Sequence, residues 1–146
     1  RYYEELEWHL LKYPVHDAFR RYLSDLNVLY KKTVPLWDED HSWSGFRWVV
    51  SKDNENGIIA FERISRSGEK VLVVVNFMPG SHDKYPLGFD SAVTLNEVFN
   101  SEGAIYSGCQ MVNEGSIKTV EQNYGDRLYS LHIKIPPLSA LYFKVE

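Results

Sequence analysis

Asp38, Asp40, Ser42 and Ser44 alternate along one short stretch, the pattern in which a calcium loop presents its oxygen ligands. Such a loop needs glycine at its sixth position for the sharp turn and a bidentate glutamate at its twelfth. The chain has Trp43 and Val49 there, so the stretch reads as a solvated acidic loop. His9, His16, His41, His82 and His132 are scattered, without the H-E-x-x-H spacing or cysteine pairs of a zinc site. They read as surface or locally bonded side chains, and no metal site is expected. Glu4, Glu5 and Glu7 are clustered carboxylates, yet nothing beside them would raise one pKa while keeping another ionised. No G-x-S-x-G elbow, P-loop or G-x-G-x-x-G cradle occurs. No catalytic residue is expected in this chain.

What remains is aromatic. Ten Tyr, seven Phe and four Trp make up 14% of the residues, which suits both β-strands and surfaces that stack on sugar rings. Trp37, Trp43, Trp48, Tyr106, Tyr124 and Tyr129 are candidates for such stacking. Trp48 alternates with Arg47 in a strand pattern and reads as core. Trp43, in a polar loop, is the candidate for glucan contact, with plain packing as the alternative.

The elements that would position these residues change character near Trp37. From about His16 to Thr33, Phe19, Tyr22, Leu23, Leu26, Leu29 and Tyr30 follow the spacing of an amphipathic helix. Asp17 in its first turn and Lys31 and Lys32 in its last complement the macrodipole, and Pro35 stops it. Burying Phe19, Leu23, Leu26 and Leu29 would be worth roughly 1.5–3 kcal/mol each as an upper bound. A shorter helix is expected over Glu4 to Lys12, broken by Pro14.

Beyond Trp37 the period is two. Strands are expected at Phe46–Val50, Ile58–Ser65, Lys70–Phe77, Tyr85–Phe89, Val93–Phe99, Ile117–Glu121, Leu128–Ile135 and Ala140–Val145. Asn56-Gly57 and Ser67-Gly68 supply hairpin turns, and Pro136-Pro137 forces a corner. Val71 to Val75 is apolar throughout, as a strand covered on both faces should be. The segment from Asn100 to Ser116 is the longest loop. The fold class is therefore mainly β: an antiparallel sandwich of about eight strands preceded by one or two helices.

Sixteen Lys+Arg against 20 Asp+Glu give a net charge of −4, the reverse of the basic surplus that neutralises phosphates, so no nucleic acid partner is expected. The longest aliphatic run is far too short to span a bilayer, and no membrane partner is expected. Cys109 is the only cysteine and there is no N-x-Ser/Thr sequon, which fits a reducing, cytoplasmic location. No signal peptide opens the chain. It starts at Arg1 and runs at once into mid-protein pattern, as a piece of a longer polypeptide would.

Three stretches together resemble bacterial 1,4-alpha-glucan (glycogen) branching enzymes of the alpha-amylase superfamily. Leu6-Glu7-Trp8-His9-Leu10-Leu11 and Arg21 through Tyr30 are similar to the end of their catalytic barrel. Gly45-Phe46-Arg47-Trp48 and Val71 through Pro79 are similar to the opening strands of their C-terminal domain, and Tyr129 through Leu141 to its last two strands. The loop Cys109-Gln110-Met111-Val112-Asn113 departs from the small, Gly/Asn-rich pattern expected there. Gly45-Phe46-Arg47 also resembles the superfamily's Gly-Phe-Arg-x-Asp nucleophile motif, but Val49 stands where the Asp would be.

The resemblance implies residues 1–37 as the helical end of a (β/α)8 barrel and 38–146 as an all-β C-terminal domain. It implies a parent enzyme that moves α-1,4-glucan segments onto 6-hydroxyls through a covalent glycosyl-enzyme, with its Asp nucleophile and Glu acid/base upstream. No cofactor is implied. The implied partners are the upstream barrel of the same chain and, through the parent enzyme, glycogen. A glucan-binding module and an unrelated β-sandwich interaction domain are the alternatives.

Overall fold

The computed structural model describes residue 3 and residues 5–146; Glu4, the first residue of the expected short helix, lies outside them. A 3₁₀ turn at Trp8–Lys12 replaces that short helix. The long helix α1 spans Pro14–Lys32. Pro14 follows the end of that 3₁₀ turn, as expected, and also opens α1: at the first helical position its missing N–H would have had no partner, and its fixed φ already suits the helix. Asp17 lies in the first turn, paired with Arg20, and Lys31 and Lys32 lie in the last. No described helix is long and apolar enough to cross a membrane.

Eight strands follow among the described residues: β1 (Phe46–Asp53), β2 (Ile58–Ile64), β3 (Lys70–Asn76), β4 (His82–Phe89), β5 (Thr94–Asn100), β6 (Ser116–Lys118), β7 (Tyr129–Ile135) and β8 (Ala140–Val145). They form an antiparallel six-stranded sheet in the order β1-β2-β3-β8-β5-β6 and a two-stranded layer of β4 and β7. All eight expected strands are present. The tight turn between β1 and β2 is set by Gly57, whose φ of 62° is open to a residue without Cβ. After β6 the chain passes from the large sheet to the small one, where Val120 and Ser130 exchange backbone hydrogen bonds of 2.8 and 3.1 Å.

The core lies between the layers. Ile58 and Ala60 of β2, Leu72 and Val74 of β3, Leu95 of β5 and Leu141 and Phe143 of β8 face Tyr85, Leu87 and Phe89 of β4 and Leu131, Ile133 and Ile135 of β7. The outer face of β3 is buried too, at Val71 and Val73. Helix α1 supplies that second cover: Leu29 shares a cavity wall with Val71, and Leu26 shares one with Val73 and Tyr142. A strand buried on both faces must be apolar at every position, which explains the run from Val71 to Val75.

The expected apolar stripe of α1 divides in two. Tyr22, Leu26 and Leu29 turn toward the sheet, whereas Phe19, Leu23 and Tyr30 are exposed. Tyr22 packs 5.6 Å from both Phe99 and Tyr106, centroid to centroid. Tyr106, in a 3₁₀ turn of the long β5–β6 loop, donates its hydroxyl to Asp25 Oδ2 at 2.8 Å. Burial and the Asp25 carboxylate push the Tyr106 hydroxyl up to about 12, so it stays a donor across ordinary pH. Buried asparagines fix the same loop. Asn100 donates to Met111 O at 3.0 Å, and Asn113 exchanges hydrogen bonds of 2.9 and 2.7 Å with the Lys134 backbone.

Candidate functional site

The acidic stretch before β1 is a clamp rather than a solvated loop, which corrects the reading from sequence. Glu39 accepts hydrogen bonds from Ser42 Oγ at 2.5 Å and Ser44 Oγ at 3.2 Å, and from Arg66 Nε in the β2–β3 turn. The Arg66 backbone N–H donates to Asp38 Oδ2 at 2.9 Å, and Arg63 Nη2 lies 2.9 Å from Asp40 Oδ1. The alternating oxygens that resembled calcium ligands are thus spent on two arginines and on one another. Gly45 closes the loop against Glu39. A Cβ there would sit 2.3 Å from the Glu39 carbonyl oxygen, so only glycine allows this approach.

The clamp holds out Trp43, which is 86% exposed in a 3₁₀ turn at Trp43–Gly45. Its ring lies edge-on to Phe46 at 6.3 Å; Phe46 in turn meets Trp48 edge-on at 4.9 Å and stacks on Phe61 at 5.2 Å. Trp48 is therefore not core. It is 45% exposed on the outer face of edge strand β1, because the register sets Phe46 opposite Arg63 and Trp48 opposite Phe61 on that one face. Asp40, His41, Ser42, Trp43, Phe46 and Arg63 line a hollow of about 370 Å³. Arg63 Nε and Nη2 are buried there without an aligned hydrogen-bond acceptor among the described residues.

Aromatic planes beside a guanidinium and a carboxylate can stack on a ring, donate to its oxygens and accept from its hydroxyls. The arrangement suits binding. Of the other stacking candidates, Trp37 and Tyr124 are exposed elsewhere, Tyr106 is committed to α1 and Tyr129 packs on the core. Glu5 and Glu7 are exposed. Among the described residues no three His, Cys, Asp or Glu side chains converge as a metal site would require. Sequence reasoning missed Phe46, Phe61 and Arg63; the signal available was period two, which sets Phe46 with Trp48 and Phe61 with Arg63 in facing strands.

The Ser42 hydroxyl, then the Arg66 side chain, hold Glu39 down at about 2. A carboxyl lowered by folding lends stability above its unfolded pKa and loses it as pH falls through the folded value. The clamp should accordingly hold at neutral pH and release between roughly pH 4.5 and 2. The Trp43 indole N–H resonance should move across that window, and by clearly less in Glu39→Gln. A Trp43 signal that titrates identically in both proteins would refute the clamp.

The model of the alpha-amylase C-terminal all-beta domain matches residues 48–146. The chain is 36% identical over 143 residues to a 1,4-alpha-glucan branching enzyme GlgB of Prochlorococcus marinus (strain AS9601), covering 97% of this chain and 19% of that protein. It is 38% identical over 142 residues to the GlgB of Synechococcus elongatus, covering 97% of this chain and 18% of that protein. It is 40% identical over 141 residues to the GlgB of Synechococcus sp. (strain CC9605), covering 96% of this chain and 18% of that protein. The chain thus spans about a fifth of the length of the curated relatives it matches.

Proposed function

This chain belongs to the alpha-amylase C-terminal all-β domain family, and from that premise we propose that it is the C-terminal region of a 1,4-alpha-glucan branching enzyme. The polypeptide that carries it transfers α-1,4-glucan segments to 6-hydroxyls in glycogen synthesis, and the acid–base and nucleophilic carboxylates lie outside these residues. The observation that carries this reading is where the matches begin. The domain model starts at residue 48, whereas the branching enzymes match 96–97% of the chain, α1 included. A shared β-domain alone would not extend the likeness into α1. Residues 1–37 are then the end of a catalytic barrel and 38–146 the sandwich that braces it. The enzyme needs no cofactor and works in the cytoplasm.

The long polypeptide containing this chain should convert amylose to a product with new α-1,6 anomeric signals and a faded iodine colour. The 146-residue chain alone should leave the colour unchanged. Bleaching by the short chain, or no α-1,6 linkages from the long one, would defeat the reading.

A second role, weak glucan contact at Trp43, is favoured by that indole's 86% exposure on a clamped loop beside the Arg63–Asp40 pair. Maltoheptaose should then quench tryptophan fluorescence saturably, with a dissociation constant on the order of 1 mM, as expected of a small open site. Trp43→Ala should abolish most of the change. An unaltered titration curve in that variant would place the contact elsewhere.

A further inference from the structure

Between the last turn of α1, the 3₁₀ turn Val34–Leu36 and the outer face of the large sheet lies a cavity of about 290 Å³. Its walls are mainly apolar: Leu29 and Val34 on the helix side, Val71 of β3 and Val145 of β8 on the sheet side. Val98 of β5 joins them for a local reason. The pairing of β5 with β8 slips between Glu97 and Phe99, which makes Val98 the extra residue of a β-bulge. A bulge re-aims the side chain it carries, here toward the hollow, where Val98 is 46% exposed.

The charge around these walls is opposite to that of the chain. The 146 residues carry a net −4, yet Lys32, Lys70 and Lys144 line the cavity against one carboxylate, Glu69. Lys32 belongs to the last turn of α1, and Lys144 stands directly across from Val71 in the β3–β8 ladder. The Lys144 ammonium lies 2.6 Å from Glu146 Oε1, in a pair whose side chains are both more than half open to solvent. Such an exposed pair is weak and leaves room for a competing anion. No aromatic ring lines the cavity, so it lacks the plane on which a sugar would stack.

We propose that this cavity binds a small organic anion with an apolar body, its tail over Val71 and Val98 and its head between Lys32 and Lys144. Mainly apolar walls with a few converging polar groups are the usual make-up of a small-molecule site, and a volume of roughly 300 Å³ is its lower limit. A carboxylate on a chain of about eight carbons fits that space. Nothing in the site takes part in glucan transfer, and it stands whether or not the branching-enzyme reading does.

Octanoate is the probe. Titrated into the 146-residue chain, it should shift the methyl resonances of Val71 and Val98 saturably, with a dissociation constant on the order of 1 mM, and leave the Trp43 indole unmoved. Octan-1-ol, with the same tail and no charge, should bind roughly five-fold more weakly. Inorganic phosphate, with no tail, should not shift the two valines. Lys144→Gln should weaken octanoate about three-fold, and Val98→Asp about ten-fold, by removing an ammonium and by adding a carboxylate to the wall. Both side chains are exposed, so both variants should melt within about 3 °C of the unaltered chain. A diazirine-bearing octanoate should label the segments around Val34, Val71 and Val98 in the long polypeptide as well as in the short chain. Shifts spread evenly over the surface, equal affinity for octanol and octanoate, unchanged affinity in either variant, or labelling of the short chain alone would each overturn the proposal.

Discussion

Arg47→Met should lower stability by about 3 kcal/mol and the melting temperature by roughly 10 °C. Glu62 is fully buried on the inner face of β2, where Arg47 reaches it from β1 with Nε at 2.8 Å and Nη2 at 2.6 Å, both on Oε2. Its other oxygen has no partner among the described residues. Removing the guanidinium would leave a buried carboxylate without a counter-charge, the costly half of a broken ion pair. Arg47 is itself 38% exposed, so solvent screens part of the interaction and the lower end of the usual range applies. Arg47 also stands 3.5 Å from Asp90, which follows β4 and is held by Arg127 in the turn before β7, so the pair ties the two layers at one end. The double variant Arg47→Met/Glu62→Leu should recover most of the loss, because no charge is then stranded. Chemical denaturation of the three proteins decides it; a near-neutral single variant, or strictly additive losses, would mean that the pair is not coupled.

The other large effect is expected at Asn76, near the opposite end of the sandwich. Its Nδ2 donates to Gly80 O at 2.7 Å and Pro136 O at 2.8 Å, and its Oδ1 accepts from Met78 N at 2.9 Å. One buried amide therefore ties the end of β3 to the β3–β4 connection and to the proline corner. Asn76→Ala should cost about 2–3 kcal/mol, the sum of three net hydrogen bonds less what Ser139 still gives Pro136 O. Asn76→Asp should be at least as damaging at neutral pH, since a carboxylate would face two carbonyl oxygens. Those neighbours would raise the introduced group's pKa on folding, so the variant's stability should improve as pH falls and worsen as pH rises through the folded value. A variant equally stable at pH 5 and 8 would show that the amide does not hold this corner.

Much of the architecture was legible because it is written in short-range periods. The eight strands, the helix and the Asn56-Gly57 turn each depend on residues within a few positions of one another, and all were found where the pattern set them. Errors arose where a local signal has two outcomes. Pro14 ends the short upstream element as the pattern implied, but that element is a 3₁₀ turn and not the short helix expected over Glu4 to Lys12, while the same proline also opens α1. Trp48 alternates correctly, but alternation does not say which face is inside, and the register with β2 turned it out.

Sequence by itself thus determined the family resemblance, the strand content and the apolar central strand, since each follows from side-chain type at fixed local spacing. Only the tertiary structure decided that β8 enters between β3 and β5, that Glu39 grips an arginine 27 positions away, that Phe46 and Phe61 share a platform and that Leu138 stands exposed in a left-handed turn. These features depend on which distant segments pair and in what register. That choice is made by burying one shared core, a property of the whole chain at once and not of any window within it.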